Sequence, residues 1–83
     1  EEVIILDVRT PEELGLGKIA GSKNVNFNAS NFEEQIDLLN RDMTYLVYCQ
    51  AGGRSAKACD LMERKGFKKL VNLKGGYTAY KDQ

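Results

Sequence analysis

Apolar residues gather in four short runs along the chain: Val3-Ile4-Ile5-Leu6-Asp7-Val8, Asn24-Val25-Asn26-Phe27, Tyr45-Leu46-Val47-Tyr48-Cys49 and Leu70-Val71-Asn72-Leu73. The first and third are nearly continuous and rich in β-branched or aromatic residues, the pattern of strands covered on both faces. Between the runs the spacing becomes helical. Thr10-Pro11-Glu12-Glu13 reads as an N-cap, a proline at the first helical position and acids in the first turn. Phe32, Ile36 and Leu39 predict a second helix from Asn31 to Leu39. A third starts near Arg54-Ser55 and stops at Gly66, burying Ala58, Leu61 and Met62, and a last one follows Gly75-Gly76 with Tyr77 and Tyr80. Strands alternating with helices predict an α/β domain over residues 1–83, a small parallel β-sheet with helices on both faces. Ligands of such sheets bind beyond the carboxyl ends of the strands. Here those ends are Asp7-Val8-Arg9, Cys49 with its loop, and Lys74-Gly75-Gly76, which the pattern brings to one rim.

Composition narrows the chemistry. A length of 83 residues suits one domain, and the zero net charge argues against a nucleic-acid partner. The charge is uneven: residues 1–42 hold four Lys/Arg against nine Asp/Glu, and residues 43–83 hold eight against three. The half with Cys49 is the basic one, which suits a small anionic substrate, although Lys57, Arg64, Lys65, Lys68 and Lys69 also read simply as a solvated helix face and its exit. No apolar run has the length of a membrane span and no stretch looks like a signal peptide, so a cytoplasmic protein without a membrane partner is expected. Two cysteines and no histidine are too few for an ordinary zinc site and leave no Cys–His catalytic pair. No metal or organic cofactor is implied. Activation of a thiol has to come from backbone dipoles and cations.

The loop Cys49-Gln50-Ala51-Gly52-Gly53-Arg54-Ser55 joins the third strand to the third helix. Glycines let such a loop curl so that successive N–H groups point inward as an anion-binding nest. The helix behind it adds unsatisfied N–H groups and the positive end of its dipole. Arg54 adds a full charge and a planar fork of donors. A cysteine facing that nest is expected to have a lowered pKa. Cys59, mid-helix and rigidly held, reads as a packed thiol out of easy disulfide reach of Cys49.

These residues match a known pattern. Leu6-Asp7-Val8-Arg9-Thr10-Pro11-Glu12-Glu13, Gly17-Lys18-Ile19-Ala20-Gly21 followed by Asn24, Val47-Tyr48-Cys49 with Gly52, Arg54 and Ser55, and Asn72-Leu73-Lys74-Gly75-Gly76 appear in the order and spacing of one family. The chain resembles a rhodanese-like (sulfurtransferase) domain over nearly its full length. The resemblance implies that Cys49 takes a sulfane sulfur from a donor such as thiosulfate, holds it as a persulfide and passes it to cyanide or a thiol. It implies that the N–H groups of Gln50, Ala51, Gly52, Gly53 and Arg54 stabilise the persulfide anion, that Arg54 closes the loop and helps hold an anionic donor, and that Asp7, Arg9 and Ser55 support the loop. The family often has His where Lys18 stands, Pro where Ala20 stands and Trp near Tyr80, which alters the rim and leaves the thiol loop intact. The family's first strand and a helix would precede Val3, so about four strands are expected here, with the fourth as an exposed edge.

Three other readings share parts of this pattern. The domain is alternatively a persulfide carrier or interaction module of a larger relay, with a protein as sulfur donor or acceptor. Cysteine phosphatases of similar architecture carry five residues between Cys and Arg. This loop has four, a tighter nest that suits one sulfur atom better than a phosphate. A redox-sensing role would need the low-pKa thiol to be exposed.

Overall fold

The computed structural model describes residues 2–82. Its elements run β1 (Val3–Asp7), α1 (Pro11–Leu14), β2 (Lys23–Asn24), α2 (Phe32–Asp37), β3 (Thr44–Tyr48), α3 (Gly53–Arg64), β4 (Lys69–Asn72) and α4 (Gly76–Lys81). All pairings are parallel and the strand order is β2-β1-β3-β4. β1 and β3 form the central pair, in register from Val3 opposite Thr44 to Asp7 opposite Tyr48. The chain leaves β1 toward β2 and leaves β3 toward β4, so the two connections diverge from the β1/β3 seam. A crevice opens at the carboxyl ends of strands where connections diverge in this way. Asp7, Arg9 and Cys49 stand there.

The period-two alternation of the central strands separates two chemistries. Leu6, Val8, Tyr45, Val47 and Cys49 join Phe32 and Ile36 of α2, Ala58 and Met62 of α3, and Phe67 in the apolar core. Tyr45 and Phe67 meet edge-on with ring centroids 5.6 Å apart. Asp7, Arg9 and Tyr48 point the other way, where Tyr48 bonds the backbone of Ile19 and Arg9 lies over Tyr77 of α4. Helices therefore cover both faces, one cover packed with apolar side chains and the other built around polar ones.

Boundaries differ from the sequence pattern by about a residue, with two larger departures. β2 keeps only Lys23 and Asn24. The Asn24 side chain donates to the carbonyls of Asp7 (3.0 Å) and Arg9 (2.9 Å), beside backbone bonds from Val25 N–H to Asp7 O (2.9 Å) and Phe27 N–H to Val8 O (3.0 Å) that continue past the short strand. α2 stops at Asp37, because Leu38 is exposed and the Leu39 N–H closes a tighter turn onto Ile36 O at 3.0 Å. β4 is an edge of the sheet, with Lys69, Val71 and Asn72 exposed. Among the described residues no helix is long and apolar enough to cross a membrane.

Candidate active site

Cys49 follows directly on β3, and α3 begins four residues later at Gly53. Gly52 sits between them at φ 113°, a left-handed conformation that side chains disfavour. This twist turns its N–H back onto the thiol, 3.0 Å from Cys49 Sγ. Ser55 Oγ lies 3.4 Å from the same sulfur and is itself held by Asn72 Oδ1 at 2.6 Å. Burial pushes the Cys49 thiol up. The Ser55 hydroxyl and the N–H groups of Ser55, Gly52 and Ala51 outweigh burial, and the net pKa is lowered. Cys49 is only 1% exposed. The loop wraps the sulfur, and this burial bears equally on an oxidant and on a sulfur donor. Cys59 is also a free thiol, and burial raises its pKa.

The outer side of the loop is fastened by α4. Tyr77 N–H donates to Cys49 O at 2.8 Å and Thr78 N–H to Gln50 O at 3.0 Å. Gln50 Nε2 also donates to Thr78 Oγ1 at 3.0 Å. The close approach depends on Gly76, at φ 61°, where a Cβ would lie 2.5 Å from Cys49 O and 2.6 Å from Gln50 O. Backbone cannot yield as a flexible side chain does. Gly76→Ala is expected to cost about 1–3 kcal/mol and to slow thiol alkylation, as read from urea midpoints and iodoacetamide rates. Unchanged values for both would mean that α4 does not hold the loop.

Below the loop lies a buried ion pair. Arg9 and Asp7 are both fully buried, with Nε 3.1 Å from Oδ1 and one terminal nitrogen 2.9 Å from Oδ2. Asp7 also accepts from Tyr48 Oη at 2.6 Å. The remaining donors of Arg9 reach Gln50 Oε1 at 3.1 Å, Gly17 O at 2.7 Å and, more weakly, Glu13 O at 3.4 Å. Arg9 thus joins β1, the α1–β2 segment and the thiol loop. Asp7 and Arg9 touch the loop through Gln50 and lie under it.

Arg54 is engaged by a carboxylate of α1. Its two terminal nitrogens donate to the two oxygens of Glu13 at 2.7 and 2.8 Å, a bidentate pair about a quarter exposed. Arg54 closes the loop against α1, and its fork is occupied by a carboxylate. Other cations of the basic half are exposed or paired. Lys57 and Lys74 are exposed, and Lys65 is paired with Glu33 and Asp37.

Glu13 was legible in sequence only as a helix-start acid. It completes a capping box with Thr10, whose N–H it accepts at 2.9 Å, and this fixes its rotamer toward Arg54. The Arg54 hydrogen bonds hold its carboxyl at about 2, well below its ordinary value of 4.5. A carboxyl whose folded pKa is depressed stabilises the fold above its unfolded value and loses that contribution as pH falls through the folded one. The stability gap between wild type and Glu13→Gln is therefore expected to be full above about pH 4.5 and to close toward pH 2. Acid titration followed by circular dichroism measures it. A gap constant with pH would show the pair to be electrostatically idle.

Tyr48 and Asn24 were also unassigned by sequence reasoning, because partners 41 and 17 residues away leave no local signal. A concavity of about 370 Å³ lies between α3 and β4, lined by Ala56, Cys59, Phe67 and Leu70 among others. It contains none of the residues from Cys49 to Ser55.

The Rhodanese-like domain family model matches residues 1–83. The putative sulfurtransferase YtwF of Bacillus subtilis is 32% identical over 100% of this chain and 78% of its own length. Thiosulfate sulfurtransferase 16, chloroplastic, of Arabidopsis thaliana is 38% identical over 90% of this chain and 71% of its own. The crystal structure of a rhodanese-related protein from Thermoplasma volcanium superposes with a TM-score of 0.87 at 36% identity, covering 96% of this chain and 77% of that one.

Proposed function

The chain belongs to the rhodanese-like domain family, and from that premise we propose that it is a sulfurtransferase carrying a sulfane sulfur on Cys49. The observation that supports this most directly is the Gly52 N–H turned onto Cys49 Sγ at 3.0 Å within a loop whose N–H groups lower the thiol pKa. In the first half-reaction the Cys49 thiolate attacks the outer sulfur of a donor such as thiosulfate. A sulfur–sulfur bond forms to Cys49, the donor's own sulfur–sulfur bond breaks, and sulfite leaves with the electron pair. In the second, cyanide or an acceptor thiolate attacks the outer sulfur and Cys49 leaves as thiolate, closing a ping-pong cycle.

The inward N–H groups of the loop stabilise charge on the sulfur much as an oxyanion hole does for oxygen. Arg9 and Asp7 position the loop from below, Arg54 and Glu13 close it at the side, and α4 fixes it from behind. No histidine is available to act as a base, so the nest itself has to supply the thiolate. Phosphoryl transfer ranks below sulfur transfer because only four residues separate Cys49 from Arg54 and the Arg54 fork is already taken by Glu13.

Intact mass before and after incubation with thiosulfate tests the proposal. The expected result is a gain of one sulfur atom, removed again by cyanide. No gain from thiosulfate or from a small alkyl persulfide would sink persulfide carriage by this domain.

A further inference from the structure

Two guanidinium groups stand at the thiol loop, and each is matched by a carboxylate: Arg9 by Asp7, and Arg54 by Glu13 through both terminal nitrogens. The loop residues Gln50, Ala51, Gly52 and Gly53 carry no charge. Lys57, the lysine nearest the loop in sequence, is exposed, as is Lys74 beside the Gly75-Gly76 turn, and solvent and salt screen both. What remains for an incoming donor is a set of backbone dipoles facing a sulfur that is itself negative when reactive.

We propose that Glu13 is a specificity-determining residue: by occupying the fork of Arg54 it cancels the loop's own cation and tunes the site toward sulfur donors of low charge, such as alkyl persulfides, over dianions such as thiosulfate. The inference rests on the sulfur-transfer reading above and names the donor class of that same site.

The geometry carries it in three steps. First, Arg54 immediately precedes Ser55, whose Oγ lies 3.4 Å from Cys49 Sγ, and charge on Cys49 is among the causes that raise the Arg54 pKa, after the larger effect of Glu13. Second, Glu13 cannot easily let go. Its Oε1 is also held by Thr10 N–H at 2.9 Å and Thr10 Oγ1 at 3.2 Å, so the carboxylate is anchored on α1 before Arg54 arrives. Third, the two donor classes differ in what they ask of the site. Thiosulfate brings two negative charges to a thiolate and leaves as sulfite, still doubly charged. A protonated alkyl persulfide is attacked at its terminal sulfur, its S–S bond breaks, the alkyl thiolate leaves with the electron pair, and Cys49 keeps the sulfur with its proton. Only the first reaction gains strongly from an unpaired guanidinium.

The test measures second-order rate constants for loading Cys49 from thiosulfate and from 2-hydroxyethyl persulfide, in wild type, Glu13→Gln and the double variant Glu13→Gln/Arg54→Met. Glutamine keeps an acceptor for the Thr10 cap while removing the charge. The expected result is that Glu13→Gln raises the thiosulfate-to-persulfide ratio about tenfold, that added sodium chloride erodes this gain, and that the double variant returns the ratio to the wild-type value. A general loss of structure would slow both donors and leave the ratio where it was. A ratio unchanged in Glu13→Gln, with loading intact, overturns this inference alone. Absence of loading from both donors in wild type overturns the sulfur-transfer reading and this inference with it.

Discussion

Replacing Cys49 with serine is expected to abolish sulfur loading while leaving the domain folded. A hydroxyl in the same nest keeps Ser55 and the Gly52 N–H as partners, so folding stability should change by no more than about 1 kcal/mol. The chemistry is lost for a different reason. A free cysteine is already a few per cent thiolate at pH 7 and intrinsically very nucleophilic, and the loop raises that fraction by lowering the pKa. A serine hydroxyl has no comparable ionised population, and oxygen does not stand in for sulfur in a persulfide. Intact mass after donor incubation should show no added sulfur, with an unchanged circular dichroism spectrum. If sulfur still accumulated on Cys49→Ser, the carrier would have to be Cys59, contrary to the raised pKa of that thiol.

The second large effect concerns stability. Arg9→Met is expected to cost about 3–5 kcal/mol, because it strands the Asp7 carboxylate in a fully buried position. A domain of this size typically has only about 4–12 kcal/mol in total, so the variant should lose a large share of its stability. Asp7 would retain the Tyr48 hydroxyl at 2.6 Å and the residue 9 N–H at 2.9 Å, which satisfy oxygens but do not neutralise charge. Loss of the Arg9 bonds to Gln50 and Gly17 would also release the loop. Urea unfolding provides the measure, and the double variant Asp7→Leu/Arg9→Met provides the control. Removing both charges should recover much of the loss, since replacing a buried pair with apolar groups is often close to neutral. An Arg9→Met midpoint within experimental error of wild type would show the pair to be dispensable.

The sequence revealed the skeleton and only part of the wiring. Runs such as Val3–Val8 and Tyr45–Cys49 mark strands because burial on two faces leaves a dense apolar signature, and Thr10-Pro11 marks a helix start because capping is local. The reactive cysteine was legible for the same reason: strand, glycine loop and helix start are contiguous. Arg54 was legible as a residue but not in its partner. Its pairing with Glu13 joins α3 to α1 across 41 residues, and nothing in the pattern of either segment encodes it. The same holds for Tyr48, whose ring fits an apolar strand while its hydroxyl serves Asp7. Periodicity reports which side of an element is covered, and says nothing about which polar atoms meet there.

The fastening of the loop from behind has a consequence for the direction of flux. α4 holds the carbonyls of Cys49 and Gln50 outward through the amides of Tyr77 and Thr78, so the inward amides need no rearrangement when charge moves from the cysteine sulfur to the sulfur beyond it, about 2 Å away. In the proposed cycle, uptake and delivery then meet the same preset field. A site that treats both half-reactions alike has no built-in preference for running forward. Which way sulfur moves through such a domain is decided by the supply of donor and the demand of acceptor around it, as with a reversible exchanger.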